Sequence, residues 1–385
     1  MQKGSRWLVA LGVAAVAAGC GSSGTDKTAS VAAPTATDAA TATAPATTES
    51  GLPAGLADLV TKYSAPIEAW PGPTEGPVAP SGKFVVSIPC ARVAYGCARI
   101  DDGVKAAGEA LGWKVLSIDP AGDPAKANDA VRQAIQLKAD GIVVGAFDPE
   151  LLKTSIAEAR AAGIPVVDPV AARAPSDTGI NHDVEIQGAL QGEVLGAYIA
   201  VASGGKAQVG IMDDKEFPHQ ALRTGGIKKS LEQCSGCKIV GESDFVVTDI
   251  GTKLGPKSQA FLQSNPSIDW LSMAFDAAAS DAVIAATQAG ASSVSIVSMD
   301  ANPQNVDFVE QGKQLATMGA PLDWAGWAAV DNINRIIAGQ APTESDGIPI
   351  RLVTKDNVAD FRANGYGPVD FAAKYTELWK TGKTS

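Results

Sequence analysis

The sequence predicts an α/β protein of two doubly wound parallel-sheet lobes joined by a multi-crossing hinge. Three observations carry this reading. Short β-rich runs alternate with helical patterns from Lys83 onward; each apolar run is continuous rather than alternating, as in strands covered on both faces; and the whole series restarts after about Ala202, so two βα sets stand in tandem.

The first set opens with a strand at Lys83–Pro89 (KFVVSIP) and a helix over Ile100–Leu111. It continues through a strand Lys114–Asp119, a helix Pro124–Lys138, a strand Gly141–Phe147, a helix Pro149–Ala162 and a strand Pro165–Asp168. After Thr178–His182 and a long helix Glu185–Ala202, the second set follows: Gln208–Met212, the helix Gln220–Gln233, and strands at Lys238–Gly241, Trp270–Phe275, Val294–Met299 and Leu315–Met318. A helix Trp324–Ala338 and a strand Ile348–Val353 come last, where the chain is expected to cross back between lobes. Repeated crossings make a hinge, and a hinge between facing sheets makes a cleft. The expected first lobe is 83–183 with about 322–341, the second is 184–321 with about 342–355, and 356–385 is a C-terminal tail.

The N-terminus reads as an export signal. Lys3 and Arg6 precede an apolar run from Leu8 to Ala18 and then Gly19-Cys20, the three-part layout of a secretory leader, and the run is far short of the ~20 residues that span a bilayer. Ala17-Ala18-Gly19-Cys20 resembles the lipobox of bacterial lipoproteins, with Ala17 where Leu is usual. Residues 1–19 are thus expected to be removed, and Cys20 to receive a lipid anchor on the outer face of the cell membrane. Residues 20–51, mostly Ala, Thr, Ser and Pro with almost no large apolar residue, cannot bury enough surface to offset their ordering entropy and read as a tether; 52–82 form an N-terminal extension. Beyond the leader no stretch is long and apolar enough to span a membrane.

Charge narrows the partners. The chain carries 31 basic and 42 acidic residues; loss of the leader removes only Lys3 and Arg6, so the mature chain is near −13. That balance speaks against nucleic acid, whose binding runs on Lys/Arg-rich surfaces. Besides Cys20 there are four cysteines, Cys90, Cys97, Cys234 and Cys237, an even number in an exported chain. Two local disulfides, Cys90 with Cys97 and Cys234 with Cys237, are the first choice. The C-S-G-C segment is also a conceivable redox or zinc half-site, but no second C-x-x-C accompanies it and the only histidines are His182 and His219, so no metal and no cofactor is expected.

The runs VVSIP and DDGVKAAGEALGWKV, DPAKANDAVRQAIQLKADGIVVGAFDPE, AEARAAGIPVVD, ALRTGGIKKSL, NPSIDWLSMAFDAAASDAVIAATQAG and VSMDANPQ together resemble the type I periplasmic binding proteins, in particular the ribose/galactose group that serves ABC transporters. The likeness spans about 270 residues. It implies a non-catalytic protein that traps a small polar ligand between its lobes and delivers it to the permease subunits, working as a monomer. The resemblance also implies site residues, at the C-terminal strand ends where open α/β sheets bind. Arg223 in ALRTGG falls on the family's ligand-binding arginine, Asp300 in SMDANP on its aspartate, and Asp168 closing PVVD on a third position, although Pro169 follows it where an Arg is common. A carboxylate accepts from two neighbouring hydroxyls and a guanidinium donates to two oxygens, so both residue types suit a sugar or polyol.

Each also has a plainer role: Asp300 and Asp168 as helix N-caps, Arg223 as a solvated residue or a partner of Asp213. The departures from the family matter equally. A longer CARVAYGC loop, with Arg92 and Tyr95, replaces the aromatic first loop of the sugar binders; Phe275 stands where Asn is common, with Asp276 beside it; and the glutamine of the last binding loop falls near Ala320. Trp324 and Trp327 follow at helical spacing, at least one of them expected to face the cleft or hinge and both able to serve as core. A non-sugar ligand, such as an aromatic acid or nucleoside, or a sensing role toward a membrane receptor, therefore stays open beside the sugar or polyol reading. An enzyme is disfavoured: there is no Gly-x-Ser-x-Gly elbow, and Gly251–Ser258 has the wrong spacing for a phosphate loop and reads as a helix start. A repressor would need a helix-turn-helix where the leader and tether stand.

Overall fold

The computed structural model describes residues 52–288 and 293–384; the leader, Cys20 and the whole tether lie outside them. After a helix α1 (Ala54–Ser64), the first lobe runs β1 (Phe84–Pro89), α2 (Tyr95–Leu111), β2 (Lys114–Ser117), α3 (Pro124–Gln136), β3 (Gly141–Gly145), α4 (Lys153–Ala161), β4 (Val166–Pro169), a single turn α5 (Pro175–Thr178) and β5 (His182–Val184). The chain then crosses to α6 (Gly188–Ala202), β6 (Gln208–Asp213), α7 (Pro218–Glu232), β7 (Lys238–Asp244), α8 (Leu254–Ser264), β8 (Trp270–Met273), α9 (Asp276–Gln288), β9 (Ser295–Asp300), α10 (Pro303–Glu310) and β10 (Ala316–Gly319). It returns through α11 (Leu322–Ile337) and ends with β11 (Arg351–Thr354), α12 (Val358–Asn364) and α13 (Phe371–Thr381).

The first sheet has the order β2-β1-β3-β4-β5 and the second β11-β10-β9-β8-β6-β7. Strands such as β3 (GIVVG) and β4 are buried along their whole length, as continuous apolar runs require when helices cover both faces. One strand departs from the expected parallel pattern. The strand expected at Ile348–Val353 begins at Arg351 and pairs antiparallel with β10, Thr317 opposite Val353. It follows an irregular 338–350 segment rather than a βα crossover within the same lobe, so the geometry that enforces parallel pairing does not act on it.

Helix ends follow local chemistry. Asp123 caps α3 by accepting from the amides of Ala125 and Lys126, with Pro124 at the first helical position, and α2 stops at Gly112, whose φ of 64° is left-handed. Two helix pairs approach so closely that only glycine fits between them. A Cβ on Gly226 of α7 would lie 2.1 Å from the Ala189 carbonyl of α6, and one on Gly103 of α2 would lie 2.2 Å from the Asp323 carbonyl of α11. These contacts set where α7 and α2, one in each lobe, present their N-terminal turns.

The extension and tail add crossings between the lobes. Helix α1 packs on α6 and β11 of the second lobe, yet Trp70 a few residues later stacks on Trp324 of α11, ring centroids 5.0 Å apart. Helix α12 packs against α10 and β11, whereas α13 packs against α11 and α2. The two straps are joined to each other: the Ile67 amide donates to the Tyr366 carbonyl at 2.7 Å and the Ala79 amide to the Trp379 carbonyl at 2.9 Å. No helix among the described residues is long and apolar enough to cross a membrane.

Candidate functional site

The loops leaving the C-terminal ends of both sheets meet over a small cavity of about 40 Å³, where open α/β sheets generally bind. The first lobe contributes the Cys90–Cys97 disulfide with Ala94 and Gly96 of its loop, Ile100 of α2, Ala146 after β3 and Val170 after β4. Ile186 and Leu322 stand at crossings. The second lobe contributes Phe217, His219, Gln220 and Arg223 from the start of α7, Phe275 after β8 and Asp300 at the end of β9.

The backbone marks the same place. Ala146, Val170 and Asp300 hold φ angles of 61°, 73° and 113°, a region that L-residues rarely occupy and that a β-branched valine resists most strongly. Such strain persists only where the surrounding structure over-determines it, and it concentrates at binding sites.

Arg223 is 2% exposed and Asp300 5%, and they pair directly: Arg223 Nη2 donates to Asp300 Oδ1 at 2.8 Å while Arg223 Nε donates to Gln191 Oε1 of α6 at 2.9 Å. Asp213, the alternative partner, accepts instead from the Thr224 hydroxyl at 2.8 Å. Burial raises the Asp300 carboxyl above its usual range, and the Arg223 guanidinium opposes that rise. From the first lobe, Arg99 Nη1 reaches across to the Asp300 carbonyl at 3.0 Å and Nη2 to Asp323 Oδ1 at 2.9 Å. Asp300 is thus held by both lobes at once.

Asp276 stands behind this loop. It is fully buried, accepts from Ser298 Oγ, from Thr317 Oγ1 at 2.8 Å and from the Asn302 amide at 2.7 Å, and burial with the nearby Asp300 charge pushes it up to about 7. Its contacts fix the strained Asp300-Ala301 turn, and it does not line the cavity. Asp168 is likewise fully buried behind the wall: Oδ1 accepts from the Ala146 amide at 3.1 Å, Oδ2 has no partner, and burial followed by the Asp183 charge holds its pKa well above the ordinary value. Neither aspartate near these strand ends serves as the cap of the following helix, since α10 is preceded by Asn302 and α5 by Ala174.

The remaining candidates separate. Phe275 lines the cavity, edge-on to Phe217 and Phe245. Arg92 turns away: its guanidinium meets Asp101 and, at 3.1 Å, Asp102. Tyr95 is 46% exposed and lines a separate groove at the mouth with Ile284 and Pro303. Trp324 is buried between Trp70 and Phe371, beside a pocket formed with Tyr366 on the hinge side, and Trp327 stacks on Trp379.

Both disulfides form, Cys90 with Cys97 and Cys234 with Cys237, with Cα separations of 5.7 and 5.3 Å. Sequence reasoning missed His219, Gln220 and Arg99. The first two lie in the opening turn of α7, directly after the β6 loop, and that position at the C-terminal end of a sheet strand was the available signal. Burial and then the Arg223 charge hold His219 well below its usual pKa, opposed by a hydrogen bond with the Val170 backbone.

Known proteins agree with this architecture. The family model of the periplasmic binding protein domain matches residues 84–341. The ribose import binding protein RbsB of Escherichia coli is 22% identical over 257 residues, which cover 66% of this chain and 85% of that protein. The D-apiose import binding protein of Actinobacillus succinogenes is 23% identical over 227 residues, covering 58% and 71%. Among solved structures, an ABC transporter solute-binding protein from Agrobacterium vitis with bound allitol superposes with a TM-score of 0.68 at 19% identity, covering 74% of this chain and 99% of its own. One from Bacillus halodurans with bound myo-inositol gives 0.66 at 21% identity, with coverage of 74% and 99%. By fold and family match together, the chain belongs to the periplasmic binding proteins and has their type I two-lobed architecture.

Proposed function

We propose that this chain is the solute-binding component of an ABC importer: a lipoprotein, anchored through Cys20 outside the cell membrane, that captures a small hydroxylated solute of the sugar or polyol class and presents it to permease subunits. The observation that carries the reading is the Asp300 turn. Asp300, strained in its backbone and buried, pairs its carboxylate with Arg223 of its own lobe and offers its backbone carbonyl to Arg99 of the other, and this turn lines the cavity that both lobes border. Ligand contacts made only in the closed arrangement shift the population toward it, and the permease reads that arrangement. Catalysis has no part in this scheme, and the cavity's two cysteines are tied up as a disulfide. Arg223, Asp300 and Phe275 are assigned to the ligand. Asp168 and Asp276 support the loops around it. Arg92, Tyr95 and Trp324 are assigned to the rim and hinge.

The test is a thermal-shift screen of the full mature chain against pentoses, hexoses and polyols, since a solute that binds only the native state must raise its melting temperature. A rise of several degrees with one compound is expected; silence across sugars and polyols contradicts the assignment.

A further inference from the structure

The polar side chains that line the cavity come from one lobe, which also contributes Phe217 and Phe275. His219, Gln220, Arg223 and Asp300, its polar lining among the described residues, all belong to the second lobe. The facing wall, exemplified by Ile100, Val170 and the Cys90–Cys97 disulfide, carries no polar side chain. On the polar side, Arg223 already spends donors on Gln191 and Asp300, and Gln220 Nε2 contacts His219 Nε2 at 3.3 Å, whereas Gln220 Oε1 is buried with no partner. Buried polar atoms are ordinarily satisfied, so an orphaned acceptor on a residue that lines a cavity points to a ligand donor that completes it.

From this asymmetry we propose that the solute is a compact two-faced molecule, with hydroxyls along one edge turned to Gln220, His219 and Asp300 and a hydrocarbon edge turned to the first lobe. A ring diol or a deoxygenated sugar has this chemistry. A polyol hydroxylated at every carbon does not, because each hydroxyl pressed against the first-lobe wall loses its water without gaining a partner, at roughly ten-fold or more in affinity apiece. The inference rests on the solute-binding reading above and narrows it to a class of ligand.

A matched pair of probes on one carbon ring tests it: cis-1,2-cyclohexanediol, hydroxylated on one edge, and myo-inositol, hydroxylated all round, each titrated calorimetrically into the full mature chain, with common pentoses and hexoses run alongside. The diol is expected to bind at least ten-fold more tightly than the inositol. In Ile100→Asn, which places an amide on the apolar wall, that ratio is expected to shrink; should this variant fail to fold, the wild-type ratio decides alone. Equal or tighter binding of myo-inositol, or binding of fully hydroxylated sugars while the diol is inert, overturns the two-faced ligand and leaves the solute-binding reading standing. No heat with any compound at millimolar concentration overturns both.

Discussion

Arg223 and Asp300 are withdrawn from solvent together, so truncating either acts twice. Loss of one charge-assisted hydrogen bond to the solute weakens binding by ~1.5–3 kcal/mol, and the abandoned partner, still buried and charged, destabilises the fold by about 3–5 kcal/mol. Asp300→Ala and Arg223→Ala are therefore expected to lower both affinity and melting temperature, which parallel calorimetry and thermal melts separate. A second titrating residue makes a pH prediction. Asp214 is fully buried, Oδ1 accepts from the Glu216 amide at 3.0 Å, Oδ2 has no partner, and burial, followed by the acidic neighbours Glu216, Asp213 and Asp249 against that amide bond, pushes it up to about 8. A carboxyl raised in the folded state gives stability that is complete below its unfolded value near 4 and is lost as pH rises through the folded one. Between pH 4 and 8 the wild type should thus lose a component of stability that Asp214→Asn retains. Melting curves of both proteins across that window check this; identical slopes would contradict it.

At this scale the sequence was informative where a residue's partner is near in sequence or its position is a strand end. Arg223 and Asp300 could be placed individually at loop ends, but their mutual bond spans 77 residues and no local pattern encodes it. His219 and Gln220 lie in a helical turn whose pattern also suits an exposed helix, and only the fold turns that turn toward the cleft.

Elements depend on close packing at particular atoms. The carbonyl of Ala189 leaves no room beside Gly226, so Gly226→Ala should force α6 and α7 apart, cost roughly 1–3 kcal/mol and shift Arg223 against Asp300; urea denaturation and solute titration read the two effects. The Cys90–Cys97 disulfide both closes a short loop and forms part of the cavity wall. Replacing both cysteines by Ser is expected to cost about 2–3 kcal/mol of stability and to weaken solute binding more than the Cys234–Cys237 replacement, whose disulfide packs beneath α1 with Leu52 and Leu56, away from the cavity. Equal binding by the two double variants would show that the first loop has no share in the site. Strands such as β1 and β3 were legible because continuous apolar runs bounded by turns admit few other readings. The direction of β11 was not, since periodicity reports burial and carries no sign for strand polarity.

For the whole molecule, the two-lobed plan follows from the restarted βα series, which is why it is legible in the sequence. The straps could not. Trp70, Trp324 and Phe371 are far apart in the chain, and only their stack shows that the N-terminal extension and C-terminal tail both span the hinge. Arg99 adds a direct bond between lobes at the Asp300 turn. These ties hold the two lobes to each other beside the cavity.

The most direct measurement is calorimetric titration of sugars, polyols and ring diols into the mature wild-type chain and into Gln220→Ala, a truncation that removes an unpartnered acceptor and the contact of Gln220 Nε2 with His219 Nε2 and leaves no charge orphaned. The expected result is saturable one-site binding of a small hydroxylated solute to the wild type, weakened by roughly ten-fold in the variant, with a melting temperature lowered less than in Asp300→Ala because no buried charge is abandoned. Binding of equal strength in both proteins would contradict it, because the solute would then lie outside the cleft between the lobes.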